Sequence, residues 1–210
     1  FTFTMPDGTP LSGVGVDCGV GACAGGTTVC SPAGWMSITC TTLSLVTPEI
    51  CDSVDNDCDG AVDAADLDLV QVLCSNQIGV CAGSKAPAAR CVDGEWGSCI
   101  TEDYLGHDDA FDPDGETTCD GLDNDCSGVA DDSFHLVLKN GDEVNGTGQA
   151  CGAGACTLDP AHPDGYTRCT PDGTGMYCPA EALASPELCD GLDNDCDGAV
   201  DADDSDDIDN

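Results

Sequence analysis

Residues 187–204 read ELCDGLDNDCDGAVDADD, and this stretch decides how the rest of the chain is interpreted. In the twelve residues from 193, acids fall at positions 1, 3, 5, 9 and 12, and glycine at position 6. Calcium loops have this spacing, because their carboxylates and the position-7 carbonyl bind the ion while the glycine permits the turn. The predicted ligands of this loop, residues 193–204, are Asp193, Asp195, Asp197, Ala199, Asp201 and Asp204.

The same pattern occurs twice more, as EICDSVDNDCDGAVDAAD at 49–66 and TTCDGLDNDCSGVADD at 117–132. The cysteines that open the three copies lie 68 and 70 residues apart. We therefore interpret the chain as three tandem repeats, 1–66, 67–133 and 134–210, each with about one calcium ion.

The first loop, residues 55–66, has the full pattern, whereas the second, residues 123–134, is degenerate. The predicted ligands of the first loop are Asp55, Asp57, Asp59, Ala61, Asp63 and Asp66. Those of the second are Asp123, Asp125, Ser127, Val129 and Asp131. Serine stands at its position 5 and Phe134 at its position 12, so the neighbouring Asp132 is an alternative ligand. Aspartate at position 12 of the full loops suggests modest affinity, with Kd about 10⁻⁴–10⁻³ M.

Composition makes the chain depend on metal and disulfides for its stability. It has 41 acids against 4 bases, a net charge of −37, and 18 cysteines in 210 residues. A chain with this charge and few bulky apolar residues is usually disordered, but the cysteine content is that of a disulfide scaffold. Bound cations would reduce the repulsion among the acids, so folding and metal binding should be coupled.

The cysteines divide into six per repeat, which predicts three bridges inside each repeat and an oxidising, extracellular compartment. Six cysteines allow 15 pairings, which sequence cannot resolve. We favour a local bond between the last two of each set because it would clip the start of each loop to its middle. These pairs are Cys51 with Cys58, Cys119 with Cys126, and Cys189 with Cys196.

The predicted fold is mainly β with much irregular structure, each repeat being a short-stranded unit followed by a short helical turn and an EF-hand-like loop. Residues 1–17 and 134–150 each predict a hairpin around a glycine turn. Thr47-Pro48-Glu49 and Ser185-Pro186-Glu187 resemble helix starts. We expect Trp35, Trp96 and Tyr177, which precede the fourth cysteines, to be the main apolar residues of the small cores.

The segments CDSVDNDCDG, CDGLDNDCSG and CDGLDNDCDG resemble the CDGxDNDCDGxxD motif of secreted bacterial repeat proteins of the MopE metal-binding type. The C-G-x-G-x-C and P-E-x-C elements before the loops fit the same pattern. The resemblance implies an extracellular, cation-binding, tandem-repeated protein of the cell surface. The family name is associated with copper, but three scattered histidines and three methionines offer few soft ligands, and the carboxylate loops favour calcium.

Two functional hypotheses remain open. The first is a structural protein that assembles head to tail into a fibre or surface layer. Its partner would be another copy of itself, bound by strand addition through residues 1–5, an uncharged strand from Phe1 to Met5. The second is a calcium-dependent adhesion or recognition module of a larger bacterial surface protein.

Other classes are disfavoured by the sequence. Four basic residues cannot form a phosphate-binding face, so we expect no nucleic-acid partner. We find no catalytic motif and expect no enzyme activity. There is also no membrane span and no signal peptide. We therefore expect a secreted chain whose leader has been removed, or a segment of a longer protein.

Overall fold

The structure, a computed structural model, describes residues 1–32, 37–157 and 165–201. Within these residues the regular structure consists of short antiparallel strands, 3-10 turns and one short α-helix. Frequent glycines and prolines limit the strand length because they interrupt β-ladders. The predicted class, mainly β with much irregular structure, is therefore confirmed for the described part of the chain.

The first of two contact-defined units comprises Phe1–Ser75 and Gly83–Asp103. Its strands are β1 (Thr2–Thr4), β2 (Pro10–Ser12), β3 (Asp17–Cys18), β4 (Gly26–Cys30), β5 (Ile38–Cys40), β6 (Cys91–Val92) and β7 (Glu95–Trp96). β1 and β2 form the predicted N-terminal hairpin, β3, β4 and β5 a three-stranded sheet, and β6 and β7 a second hairpin. Its 3-10 turns are Gly21–Cys23, Leu43–Leu45, Asp63–Ala65 and Ala88–Arg90.

The second unit comprises Asn76–Ala82 and Tyr104–Asn210. Its strands are β8 (His135–Val137), β9 (Glu143–Asn145), β10 (Arg168–Cys169) and β11 (Met176–Tyr177). β8 pairs with β9 in the other predicted hairpin, and β10 pairs with β11. Its 3-10 turns are Gly79–Cys81, Gly154–Thr157 and Ala180–Leu183. The helix α1 (Thr101–Leu105) lies where the chain passes from the first unit to the second.

The two units do not follow the predicted repeat boundaries. The first ends inside the second repeat, and the segment Asn76–Ala82 of that repeat belongs to the second unit. The boundaries at 66/67 and 133/134 stay a prediction based on sequence periodicity. None of the helices in the described residues is long and apolar enough to cross a lipid bilayer.

The small cores are built largely from cystine. In the first unit Met5 packs with Cys18 and Cys40, and in the second Leu138 and Ala180 pack with four buried cysteines. The prediction that an aromatic residue forms each small core is wrong for Tyr177, which is 40% exposed. Trp96 is half-buried, and Trp35 lies outside the described residues. Cysteines make up most of the buried apolar residues, and Tyr104 is the buried aromatic residue of the described chain.

The predicted local disulfides are wrong, and a periodic pattern replaces them. Within each repeat the first cysteine is bonded to the fourth and the second to the sixth. The fifth cysteine of one repeat is bonded to the third of the next, as Cys51–Cys91 and Cys119–Cys169. Accordingly Cys58, Cys126 and Cys196 bond to Cys23, Cys81 and Cys156. All 18 cysteines are described, and Cys30 and Cys189 are the two left unbonded.

The predicted helix starts before the loops are also wrong. Residues 47–50 and 185–188 are neither helix nor strand, and the helical turns lie further upstream, at Leu43–Leu45 and Ala180–Leu183. The ring of a proline disfavours the helical conformation for the residue before it, which is Thr47 in one connector and Ser185 in the other. The connector instead hydrogen-bonds to the loop, since the N–H of Thr47 donates to the carbonyl of Asn56 and that of Ser185 to Asn194.

Candidate metal centre

The first loop brings its three alternating aspartates together. One carboxylate oxygen from each of Asp55, Asp57 and Asp59 lies within 4.8 Å of the others. Gly60, at φ +94°, makes the turn and donates its N–H to Oδ2 of Asp55 at 3.1 Å. Positions 1, 3 and 5 of the predicted loop thus present carboxylate oxygens close to one another, as metal ligation requires.

A glutamate that the sequence analysis assigned to a helix start belongs to the same cluster. Glu49 is completely buried, and its two carboxylate oxygens accept the backbone N–H groups of Asn56 at 2.7 Å and Asp63 at 2.8 Å. An oxygen of Glu49 also groups within 4.8 Å with those of Asp57 and Asp66. Glu49 therefore both shapes the loop backbone and presents a carboxylate to the candidate site.

Asp63, the acid at position 9 of the first loop, belongs to neither of the two groups of converging carboxylates described above. The carboxylate of Asp63 instead accepts the N–H groups of Asp52 at 2.9 Å and Ser53 at 3.1 Å, ahead of the loop. Asp131 accepts the N–H of Asp120 at 2.8 Å, and Asp201 that of Gly191 at 3.0 Å. These three aspartates all have positive φ, between +50° and +58°. Position 9 thus has the same structural role in all three loops, and its ligation of calcium stays a prediction.

The second loop keeps part of the cluster. Oxygens of Glu116, Asp123 and Asp125 lie within 4.8 Å of one another. Ser127 at position 5 donates its hydroxyl to Oδ2 of Asp132 at 2.9 Å, which brings that carboxylate towards the degenerate end of the loop. Asp132 thus lies beside position 5 of the loop, and its role as an alternative ligand stays a prediction.

The third loop follows the first in its hydrogen bonds. Oδ2 of Asp193 accepts the N–H of Gly198 at 3.1 Å, and Glu187 accepts those of Asn194 at 2.9 Å and Asp201 at 3.0 Å. Asp195 and Asp197 accept N–H groups two residues further on, from Asp197 at 3.3 Å and Ala199 at 2.7 Å. The predicted ligand Asp204 lies outside the described residues. The ligand role of the Ala61, Val129 and Ala199 carbonyls stays a prediction.

Each loop is anchored to the 3-10 turn of its own repeat. The N–H groups of Ala22, Val80 and Ala155 donate to the carbonyls of Asp55, Asp123 and Asp193 at 2.8, 3.1 and 2.8 Å. The disulfides Cys23–Cys58, Cys81–Cys126 and Cys156–Cys196 join the same two segments. These contacts hold the first aspartate of every loop against the 3-10 turn of its repeat.

Buried carboxylate oxygens without hydrogen-bond partners indicate what the clusters can bind. Asp55 Oδ1 and Asp66 Oδ2 in the first loop and Glu116 Oε2 in the second are buried and unpartnered. Burial raises the pKa of Glu116, and burial with repulsion from Asp59, Asp66 and Asp55 raises the pKa of Asp57. Such oxygens are costly unless a proton or cation compensates them, so the residues fit a hard divalent ion.

Soft-metal sites are not favoured by the described residues. The groups Cys51–Asp63–Cys91 and Cys119–Asp131–Cys169 contain sulfurs already bonded in disulfides, so they offer no thiolate. His107 contacts the carbonyl of Ala82 at 3.0 Å, and His135 is exposed on β8. The oxygen clusters therefore stand as the candidate centres.

Sequence reasoning found the aspartates but missed Glu49, Glu116 and Glu187, which each accept a backbone N–H group of their loop. A signal was present, because glutamate stands six residues before the first loop aspartate in two repeats and seven in the other. Its role depends on the chain folding back over the loop amides, which local pattern does not reveal.

The comparisons with known proteins concern these loops. A family model described as "Putative metal-binding motif", and named for copper-binding MopE, matches residues 46–64, 107–132 and 184–202. Each matched region contains one of these three glutamates and the first aspartates of one loop. The chain thus carries three copies of this motif, as the resemblance implied. No curated protein and no solved structure matches the chain.

Proposed function

We propose that this chain, with its three copies of the metal-binding motif, is an extracellular structural module whose loops each bind a calcium ion. The observation that carries the proposal is the set of buried, unpartnered carboxylate oxygens on Asp55, Asp66 and Glu116. Calcium takes six to eight oxygen ligands in flexible geometry, which suits an acidic cluster with peptide carbonyls nearby. Binding would stabilise the folded chain, because the unfolded chain has no such cluster.

Calcium is proposed over copper because of ligand chemistry. The groups that converge are carboxylates, whereas copper sites use imidazole, thiolate or thioether ligands. Magnesium is a weaker candidate, since it retains several waters and takes few protein carboxylates. The eight disulfides support an oxidising, extracellular location.

We propose further that the module has no catalytic role and joins copies of itself head to tail, forming a fibre or surface layer. Disulfides between consecutive repeats support this, because they give each repeat a distinct face towards the next. A joint between unlike faces leads to open assemblies. Strand addition at β1 stays a prediction; β1 pairs with β2 along one edge. The alternative is a calcium-dependent adhesion module, which would need a foreign ligand.

Metal content and thermal unfolding test the calcium proposal. The purified chain should bind about three Ca²⁺ per molecule, matching one per loop. Its melting temperature should rise with Ca²⁺ and fall after EDTA treatment, and Cu²⁺ should not replace Ca²⁺ in this effect. An unchanged melting temperature with Ca²⁺ or EDTA would contradict the proposal.

Electron microscopy of the chain in Ca²⁺ and in EDTA tests the assembly proposal. Ordered filaments or sheets should form in Ca²⁺ and disperse in EDTA. Monomers in both conditions, together with calcium-dependent binding to a surface glycan or protein, would favour the adhesion module instead.

A further inference from the structure

We propose that Cys189 of one copy forms a disulfide with Cys30 of the next copy, and that this bond is the covalent part of the head-to-tail joint. The inference rests on the self-assembly proposed above and specifies its chemistry. It arises from the disulfide pattern, in which these two cysteines are the unbonded members of an otherwise regular series.

The series is defined by position within the repeat. The fifth cysteine of the first repeat, Cys51, is bonded to the third of the second repeat, Cys91. The fifth of the second repeat, Cys119, is bonded to the third of the third repeat, Cys169. Cys189 is the fifth cysteine of the third repeat, and Cys30 is the third of the first. The two thiols are therefore complementary halves of the bond that joins consecutive repeats.

Two kinds of hydrogen bond found after the bonded fifth cysteines recur after Cys189. After each fifth cysteine, the following aspartate accepts the N–H two residues on: Asp52 from Val54, Asp120 from Leu122, and Asp190 from Leu192, at 2.9–3.0 Å. The position-9 aspartate of the loop holds the same segment in each repeat, which is Asp201 on Gly191 in the third. The N–H of Asp190 donates to the carbonyl of Leu188, whereas those of Asp52 and Asp120 donate to the position-9 aspartate, so the segment after Cys189 has part of the hydrogen bonding found at the two bonded joints.

Cys30 likewise lies in the same type of element as its bonded counterparts. Cys30 is the last residue of β4 and pairs with Ile38 of the neighbouring antiparallel strand β5. In the same way, Cys91 and Cys169 lie in the antiparallel hairpins β6–β7 and β10–β11. In the second unit, the N–H of Cys119 donates to Gly173 in the turn of the bonded hairpin at 2.9 Å. A hairpin turn resting on the segment around the fifth cysteine is thus part of the joint between repeats.

Exposure separates the bonded from the unbonded members of the series. Cys91 and Cys119 are buried and Cys51 and Cys169 half-buried, but Cys30 and Cys189 are both exposed. Both thiols are therefore accessible to a second copy of the chain.

Bond formation follows thiol–disulfide exchange with a small disulfide such as oxidised glutathione. The Cys189 thiolate attacks one glutathione sulfur, and one glutathione leaves as its thiolate. The Cys30 thiolate of the next copy then attacks the Cys189 sulfur and releases the second glutathione. Two cysteine thiols are oxidised to one disulfide, and one glutathione disulfide is reduced to two thiols.

The test mixes two single variants, Cys30→Ser and Cys189→Ser, which each keep one of the two thiols. Oxidised glutathione is added in Ca²⁺, and products are followed by non-reducing gels and peptide mass spectrometry. The mixture should give a dimer linked by Cys30 and Cys189, at least about tenfold faster than either variant alone, because docking raises the local thiol concentration. Wild type should give a ladder of longer oligomers, since each copy has both halves.

Three results would overturn the inference: equal dimer rates in the mixture and in the single variants, a mapped bond other than Cys30–Cys189, or a wild-type monomer with that bond closed internally. Unchanged melting temperatures of the single variants would show that they fold. The double variant separates this inference from the proposed function. If the variant with both Cys30→Ser and Cys189→Ser still forms calcium-dependent filaments while the mixture gives no linked dimer, the disulfide inference fails and the assembly proposal stands. If the mixture gives the linked dimer but no filaments form in Ca²⁺, the disulfide inference stands and the fibre or surface layer is contradicted.

Discussion

Gly21 lies so close to Asp55, the first aspartate of the first metal loop, that a Cβ atom on the glycine would overlap the aspartate backbone and side chain. The same contact recurs between Gly79 and Asp123 and between Gly154 and Asp193. All three glycines have positive φ, between +50° and +53°. The glycine of the 3-10 turn therefore allows the turn to hold the loop at its first ligand position.

Gly21→Ala is the first substitution to test this contact. Positive φ costs a non-glycine residue roughly 1–2 kcal/mol, and overpacking against Asp55 should add about 1–3 kcal/mol. The control is Gly25→Ala, because Gly25 has φ +82° but a Cβ atom on it would meet nothing within 4 Å. Urea unfolding should show a larger loss for Gly21→Ala, and calcium titration should show weaker binding for that variant alone. Equal losses in the two variants would mean that the contact with Asp55 is unimportant.

Glu49→Gln should weaken calcium binding at the first loop. The substitution removes a negative charge. It also turns an amide NH₂ towards one of the two backbone N–H groups that now donate hydrogen bonds to the Glu49 carboxylate. Mutation of a residue that orients metal ligands typically lowers the metal affinity by about 10–100-fold, and we expect a loss of calcium affinity in that range. Calorimetric titration should show one of three sites weakened.

The matched control for Glu49→Gln is Glu95→Gln, at an exposed position of β7. It removes the same charge without touching a loop. If both variants lose the same affinity, then net charge explains the effect, and Glu49 has no special place in the site.

Ser127→Asp should strengthen the second loop. Ser127 stands where the other loops have aspartate, and its hydroxyl donates to Asp132. Affinity in such loops rises with the number of acidic ligands, so we expect calcium binding roughly tenfold tighter at this loop. Without calcium the added charge beside Asp132 should lower the melting temperature. Ser127→Ala provides the comparison, since it removes the hydrogen bond but adds no ligand; tighter binding in both variants would contradict the explanation.

The alternating aspartates and the hairpins were predictable because both depend on residues close in sequence. Asp55, Asp57 and Asp59 converge since a glycine turn follows them, and the N-terminal and His135–Asn145 hairpins form around glycine turns. Residues near one another in the chain have few ways to fold, so spacing alone is informative.

Features that depend on distant segments were not predictable in the same way. The Glu49 carboxylate reaches loop amides 7 and 14 residues away, and the bond Cys51–Cys91 spans 40 residues. A seven-residue cysteine spacing suggested a local bridge, but each sixth cysteine instead fastens the loop to the upstream 3-10 turn. Several pairings satisfy the local sequence equally well, and tertiary packing selects among them.

The ion pair between Arg90 and Asp103 predicts a stability difference that depends on pH. Arg90 donates to both carboxylate oxygens, at 2.8 and 3.2 Å, and the guanidinium holds the pKa of Asp103 below its ordinary value. A carboxyl whose pKa is lower in the folded state stabilises the fold above its unfolded pKa, about 3.9. That contribution disappears as pH falls through the lower, folded value.

Asp103→Asn should therefore lower the melting temperature near pH 7, and the difference from wild type should shrink as pH falls below about 4. Both chains have the same metal loops, so protonation of the loops affects both and largely cancels in the difference. Thermal unfolding in EDTA across this pH range measures the effect, with Glu102→Gln as the control on the same helix. A difference that grows on acidification would show that Asp103 acts by some means other than its charge.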